Sequence, residues 1–286
     1  MRRRGALVAL VLVPVLAAIA PAQAQEEVPF VTTPDHVTLA MLELAGVQPG
    51  EHVIDLGSGD GRIVITAARR FGARGLGVEL APDLVARSRV NARAAGVADR
   101  VEFREQDLFR TDLSAAQVIT MYLLPEVNLQ LRPRLLRLAP GTRIVSHDWD
   151  LGDWLPERSL TLDVPDKAIG RDKRSTLHLW TVPAQVQGTW CTAGATLTVE
   201  QRFDRFSAAL ARPGDAAPLL VVDGRMKADR LWSGADPASA PLAWQATGAT
   251  LALIKAETPA AIPYLGRRFT RAAAGGCDAQ RPVAAR

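Results

Sequence analysis

The residues with the clearest chemical signature follow the first predicted strand, which ends around Asp55. The turn after this strand contains, in order, Gly57, Ser58, Gly59, Asp60 and Gly61. Glycines at alternate positions let the backbone approach a ligand closely and leave amide donors at the start of the next helix. Glu79 lies at the predicted end of the second strand, where a carboxylate can accept hydrogen bonds from ribose hydroxyls. The pattern predicts a binding site for a ligand with an adenosyl group.

The charges around this turn favour one such ligand over another. A dinucleotide-binding turn needs glycine at its sixth position, where this chain has Arg62. Asp55 and Asp60 would repel a pyrophosphate, but they suit a ligand with an ammonium and a sulfonium group. Asp107 and Leu108 follow the third predicted strand, where an acid can hold an adenine amino group. The sequence therefore predicts S-adenosylmethionine (SAM) as the ligand. The alternative is a glycine-rich turn with surface acids and no ligand.

Short apolar runs alternate with amphipathic stretches around these residues, a pattern typical of strands covered by helices. It predicts a Rossmann-like, doubly wound α/β sheet of seven strands within a domain of residues 25–183. The predicted strands are His52–Leu56, Gly75–Glu79, Val101–Phe103, Val118–Tyr122, Arg143–His147, Leu160–Val164 and Thr176–Val182. The predicted helices are Arg62–Phe71, Pro82–Ala95 and Asn128–Leu138.

Helical periodicity stops after Pro183, and short alternating segments take over. They predict a second, small all-β domain at residues 188–271, an antiparallel barrel or sandwich. Asp223–Gly224 predicts a tight hairpin turn within it. The two cysteines, Cys191 and Cys277, form either one disulfide or two free thiols. Residues 272–286 are expected to be a mobile tail.

The N-terminus has the three parts of a secretory signal peptide. Arg2, Arg3 and Arg4 precede an apolar run from Gly5 to Ala20 and an Ala22–Ala24 cleavage site. The run is shorter than the ~20 residues of a transmembrane helix. We therefore expect residues 1–24 to be cleaved and the protein to be periplasmic or secreted, with an uncleaved anchor as the alternative.

The same segment explains three of the four charges in the net charge of +4. Removing its three arginines from the 34 lysines and arginines leaves 31 basic residues against 30 acidic ones. A nearly neutral chain lacks the positive charge that binds a phosphate backbone. We expect no nucleic-acid partner, and no metal either, because the four histidines and two cysteines lack ligand spacing.

The motif Asp55–Arg62, together with Glu79 and Asp107, resembles class I, seven-strand SAM-dependent methyltransferases. More narrowly, Val28–Pro34 ahead of Met41–Ala45 resembles the protein-lysine methyltransferases of ATP synthase subunit c and the adenine nucleotide translocase. The resemblance implies that the segment before the first helix closes over SAM, that Glu79 binds the ribose and that Asp107 flanks the adenine. The full set of expected cofactor-binding residues is Thr33, Asp55, Gly57, Ser58, Gly59, Asp60, Gly61, Glu79, Asp107 and Leu108.

The acceptor side of the site, meaning the residues expected to contact the methyl acceptor, departs from one pattern of the class. Thr120–Pro125 lacks the Asn/Asp-Pro-Pro-Tyr motif that holds a planar nitrogen, which argues against nucleobase or glutamine acceptors. An amine acceptor must lose a proton before transfer, since the pKa of a lysine is ordinarily about 10.4. We expect Tyr122 to orient this amine and His147 or Asp148 to accept its hydrogen bond. Alternatively, His147 is a strand-end histidine that pairs with Asp148.

The sequence therefore predicts an exported SAM-dependent methyltransferase with an amine acceptor, in the first place a protein lysine. Two alternatives remain. One is a methyltransferase that acts on a small molecule. The other is a secreted binding protein that keeps the fold without catalysis.

Overall fold

The computed structural model describes residues 31–168, 172–273 and 276–277. The expected signal peptide, residues 1–24, lies outside these ranges, as does most of the expected tail. Two bodies follow one another along the described chain: a seven-stranded sheet with helices, and a closed antiparallel barrel of eight strands. Both the predicted α/β fold and the predicted small β-domain are confirmed.

The sheet has the strand order β3-β2-β1-β4-β5-β7-β6. Its strands are β1 His52–Leu56, β2 Arg74–Glu79, β3 Val101–Glu105, β4 Val118–Met121, β5 Arg143–His147, β6 Arg158–Asp163 and β7 Arg174–Thr181. Strands β1 to β5 are parallel, so their carboxyl ends meet at one edge of the sheet. Strand β7 is antiparallel to both neighbours, because the connection from β6 is too short for a helical crossover.

Four helices cover the sheet: α1 Asp35–Ala45, α2 Arg62–Phe71, α3 Pro82–Ala94 and α4 Pro125–Leu135. Side chains of β1 alternate between the two faces. Val53 packs with α1 and α2, whereas Ile54 packs with α4. Helix α4 begins three residues earlier than predicted, because proline is well tolerated in the first turn of a helix.

The barrel closes in the order β10-β11-β12-β13-β14-β15-β8-β9. Its strands are β8 Gly188–Thr192, β9 Ala195–Arg202, β10 Arg205–Ala211, β11 Leu220–Lys227, β12 Arg230–Ser233, β13 Leu242–Thr247, β14 Thr250–Ala256 and β15 Arg268–Arg271. Apolar side chains fill its interior, Trp190 and Phe269 among them. Cys191 and Cys277 form a disulfide, which decides between the two alternatives that the sequence left open. None of the helices in the described ranges is long and apolar enough to cross a membrane.

The predicted hairpin at Asp223–Gly224 is wrong, because both residues lie inside β11. The chain turns instead between Lys227 and Arg230. Gly224 serves a different purpose: a Cβ atom there would lie 2.6 Å from the ring of Phe206 on the neighbouring strand. Glycine in this strand marks a close approach rather than a turn.

Candidate active site

The glycine-rich turn connects β1 to α2 at the carboxyl edge of the sheet. Gly57, Gly59 and Gly61 have positive φ angles of 74°, 52° and 83°, a region that glycine occupies without steric cost. A Cβ atom on Gly61 would lie 2.7 Å from the ring of Phe103, so this position has no room for a side chain. The side chain of Ser58 is buried. Its Oγ points toward Gly77 in β2, so this side chain faces the sheet.

Glu79 stands at the end of β2, where backbone amides fix its carboxylate. One oxygen accepts a hydrogen bond from Gly59 N at 3.0 Å. The other accepts from Leu80 N at 2.7 Å and from Ala81 N at 3.1 Å. A carboxylate has about four lone-pair sites, so it can still accept from ligand hydroxyls. The predicted ribose residue is thus held in place by the turn and by its own strand end.

Asp107 follows β3 and starts a short 3-10 helix. Its Oδ1 accepts a hydrogen bond from Phe109 N at 2.8 Å, and its side chain remains partly exposed. Leu108 packs against the core beneath it. The arrangement places a second carboxylate at the same edge as Glu79, as a ligand with a ribose and an adenine requires.

Asp55 is buried at the end of β1, with 2% of its surface exposed. Its Oδ1 accepts a hydrogen bond from Thr120 Oγ1 at 2.7 Å. Burial raises the pKa of Asp55 to about 7, and the negative charges of Glu79 and Asp60 act in the same direction. The hydrogen bond from Thr120 opposes this shift. Asp55 is therefore a carboxyl group whose protonation changes near neutral pH.

We expect Asp55→Asn to change how stability depends on pH. The pKa of Asp55 is about 7 in the folded protein, so the folded state holds a proton from about pH 4 to pH 7 that the unfolded chain releases. This carboxyl stabilises the fold below pH 4, and its contribution is lost as the pH rises through 7. The difference in unfolding free energy between Asp55→Asn and the wild type should therefore grow in favour of the variant as the pH rises. From about pH 4 to about pH 7 this growth should be on the order of 4 kcal/mol. Urea unfolding at both pH values measures this difference, and an equal change in the two proteins would contradict it.

The negative charge of Asp60 suggested a contact with a cationic ligand, but the structure pairs this residue within the protein. Its carboxylate binds Arg62, with Nε to Oδ1 at 3.0 Å and a second guanidinium nitrogen to Oδ2 at 2.7 Å. Burial raises the pKa of Asp60, but the hydrogen bonds and charge of Arg62 outweigh it and hold the pKa below its usual range. The negative charge of Asp60 is thus paired within the protein rather than free for a ligand.

Arg62 also reaches the segment before α1. It donates a hydrogen bond to Thr33 O at 2.8 Å, so one side chain connects the glycine-rich turn to the segment expected to close over the cofactor. Sequence reasoning assigned no role to Arg62. Its position directly after the glycine-rich turn, two residues from Asp60, is the one signal that the sequence offered.

His147 ends β5 and is almost fully buried. Its Nδ1 lies 3.3 Å from Thr33 Oγ1, and its Nε2 lies 2.8 Å from Ser175 Oγ. The ring stacks on Tyr122 with centroids 3.9 Å apart. Burial lowers the pKa of His147 to about 4, so the ring is neutral at neutral pH. Both ring nitrogens have hydrogen-bond partners, Thr33 and Ser175. Nε2 also lies 3.7 Å from Asp148 Oδ2, so the alternative pairing of His147 with Asp148 is present as well.

Asp148 follows His147, and three groups besides that histidine contact its carboxylate. Its Oδ1 accepts from Thr176 N at 3.0 Å, and its Oδ2 accepts from Tyr122 Oη at 3.3 Å. The ammonium of Lys167 lies 2.7 Å from the same Oδ2. Burial, with the negative charge of Asp148, raises the pKa of Tyr122 to about 12, so its hydroxyl stays protonated as a donor.

Tyr122, His147 and Asp148 therefore come together as the sequence predicted, at the edge that also carries Glu79. Sequence reasoning missed Lys167, which lies in the β6–β7 connection with no motif around it. In the described ranges, no group of three or more His, Cys, Asp or Glu side chains could hold a metal ion.

Comparisons with known proteins agree with this geometry. The family model of the ANTKMT methyltransferase domain matches residues 55–158. A protein-lysine N-methyltransferase of Saccharolobus islandicus is 41% identical over 48% of this chain and 86% of that protein. The adenine nucleotide translocase lysine N-methyltransferase of Mus musculus is 36% identical over 46% of this chain and 57% of that protein. A solved structure of an RNA methyltransferase from Salinibacter ruber with S-adenosylhomocysteine is 53% identical over 55% of this chain and 96% of that one, with a TM-score of 0.49.

The fold, the site and the two lysine N-methyltransferase relatives define a class I SAM-dependent methyltransferase. More narrowly, the chain belongs to the methyltransferase family that includes the archaeal protein-lysine enzyme, since it covers 86% of that relative. The predicted enzyme class and methyl donor are confirmed.

The residues of the site fit SAM. The glycines at 57 and 59 keep the turn free of side chains, and Glu79 and Asp107 place carboxylates at the edge where the ribose and the adenine amino group are expected. When bound, SAM supplies a methyl group activated by a positively charged sulfur.

Proposed function

We propose that this protein transfers a methyl group from SAM to a lysine side chain of another protein. The observation that carries the proposal is the lysine amine already bound at the acceptor side. Lys167 Nζ lies 2.7 Å from Asp148 Oδ2, and Tyr122 donates to that same oxygen. A carboxylate that holds one lysine ammonium in this way is suited to hold another. The names of the archaeal and mouse relatives support the same acceptor class.

The chemistry assigns a role to each side chain. Methyl transfer needs the amine in line with the methyl group, so the protein must orient the nucleophile and remove its proton. Asp148 holds the amine and accepts the proton. Tyr122 stays protonated and orients the Asp148 carboxylate. His147 holds Tyr122 by stacking and connects it to Thr33. His147 is thus a positioning residue, and Asp148 is the residue that accepts the proton of the amine.

We also propose that the protein acts outside the cytoplasm. The basic and apolar N-terminal segment supports export. So does the disulfide between Cys191 and Cys277, since disulfides persist mainly in oxidising compartments. N-terminal sequencing of the protein from a periplasmic fraction tests this part: a chain that starts after Ala24 is expected. A protein recovered only from the cytoplasm would contradict it.

The acceptor is tested with radiolabelled SAM. The purified protein is mixed with envelope proteins, total RNA or a small-molecule extract, and the label is followed in each. We expect label in protein, recovered as methyl-lysine after acid hydrolysis. Label in RNA alone or in small molecules alone would overturn the lysine assignment, while leaving the methyltransferase class intact.

A further inference from the structure

The β5–β6 loop, residues Asp148–Glu157, begins at the proposed acceptor residue and is held from two sides. The first side is α4. Asn128 Nδ2 donates to the backbone oxygens of Trp149 and Asp150 at 3.1 and 3.3 Å, and also to Ser146 Oγ at 3.1 Å. The amide of one buried side chain therefore ties the start of the loop to the helix.

The second side is the barrel, through the turn between β9 and β10. Phe203 in this turn stacks on Trp154 of the loop, with ring centroids 6.0 Å apart and an interplanar angle of 16°. The guanidinium of Arg132 in α4 lies 5.3 Å from the centroid of the Phe203 ring. Trp154 itself is fully buried, and its backbone oxygen accepts from Trp180 Nε1 at 2.8 Å. A barrel side chain thus completes the packing around the loop.

Charged side chains repeat this two-sided arrangement. Asp153 in the loop binds Arg132 from α4 on one oxygen and Arg202 from the barrel on the other, the latter at 2.8 Å. Further along, Glu157 binds Lys227 of the barrel. Exposed ion pairs contribute little stability each, but three barrel side chains on one short loop restrict where it can lie.

We propose that the β9–β10 turn of the barrel is a positioning element for methyl transfer. By packing Phe203 on Trp154, the barrel holds the β5–β6 loop in place. It thereby holds Asp148, where the acceptor amine binds. Trp149, next to Asp148, is 45% exposed. This inference rests on the proposed function, because it takes Asp148 as the place where the acceptor amine binds.

The test is Phe203→Ala in the full chain, with Val221→Ala as the matched control on an exposed barrel position. Phe203 has a φ angle of 54°, which is as unfavourable for alanine as for phenylalanine, so the substitution removes the ring without changing the backbone cost. We expect amide hydrogen exchange at residues 149–157 to become about tenfold faster, since a stacked aromatic pair is lost. Exchange in the barrel strands and the dissociation constant of S-adenosylhomocysteine should stay as in the wild type.

In methylation assays, the KM for the acceptor should rise about tenfold in Phe203→Ala, and Phe203→Tyr should restore it because the ring returns. Unchanged loop exchange in Phe203→Ala would overturn the inference. Faster exchange with unchanged acceptor KM and kcat would overturn it too, because the loop would then be held for stability alone. If the wild type methylates no protein lysine, the proposed function fails, whereas the exchange experiment still decides whether the barrel holds the loop.

Discussion

The Glu79→Ala variant is expected to bind S-adenosylhomocysteine about 100-fold more weakly than the wild type. The lost carboxylate is the predicted ribose-binding group, and a hydrogen bond to a charged group contributes about 1.5–3 kcal/mol. A loss of about 2.8 kcal/mol corresponds to a factor of 100. The variant also leaves Gly59 N without its partner, which loosens the turn that the ligand must meet. Isothermal titration calorimetry measures the dissociation constant.

Two further variants separate charge from shape. Glu79→Gln keeps the side chain length but loses the charge, and should fall between Glu79→Ala and the wild type. Glu105→Ala is the matched control, because Glu105 is exposed at the end of β3 and pairs in register with Glu79. It should bind like the wild type. Equal affinity in Glu79→Ala and Glu105→Ala would place the ribose elsewhere.

The cofactor side of the site was largely predictable from the sequence because its signals are local. The turn after β1 lies within a few residues of chain, and helix α2 begins and ends where its apolar spacing predicts, at Arg62 and Phe71. The placement of Glu79 and Asp107 at this edge could be predicted because parallel strands bring their carboxyl ends together. A residue at a strand end can therefore be placed without knowing its partners.

Contacts between distant segments were not predictable in the same way. Lys167 meets Asp148 because β6 ends and β7 starts at this edge, which places their connection beside the end of β5. Asp60 was interpreted from its charge alone, and the charge is paired with Arg62 two residues away. The sequence also suggested His147 and Asp148 as interchangeable acceptors. Burial separates them, since it keeps His147 neutral and bonded on both nitrogens.

The barrel illustrates the same limit. Alternation predicted a small all-β domain but not all of its strands, since the hairpin predicted at Asp223–Gly224 lies inside β11. Its contact with the methyltransferase domain was not predictable, because Phe203 is a single aromatic residue in a tight turn and Trp154 lies in a loop. Neither residue lies in a stretch whose hydrophobic periodicity predicts burial. Only the fold shows that the two rings stack.

The Asp148→Asn variant should lower the rate of protein methylation by at least about 100-fold, the usual contribution of a proton-accepting group. Asparagine tolerates the φ angle of 64° at this position and can still accept from Thr176 N, so the fold should persist. It lacks the negative charge that holds an ammonium and takes its proton. Single-turnover kinetics with labelled SAM measure the methyl-transfer step, and the affinity for S-adenosylhomocysteine should be unchanged.

Two controls decide how Asp148 acts. Asp150→Asn changes the same functional group in the same loop, at an exposed position, and should keep the wild-type rate. Lys167→Met removes the lysine that now lies on Asp148, which leaves the carboxylate free for the acceptor. If Asp148 binds the acceptor amine directly, Lys167→Met should lower the KM for the acceptor or leave it unchanged. If Asp148 only anchors Lys167, the two variants should lose activity to the same extent, and the assignment of Asp148 as the acceptor residue would be wrong.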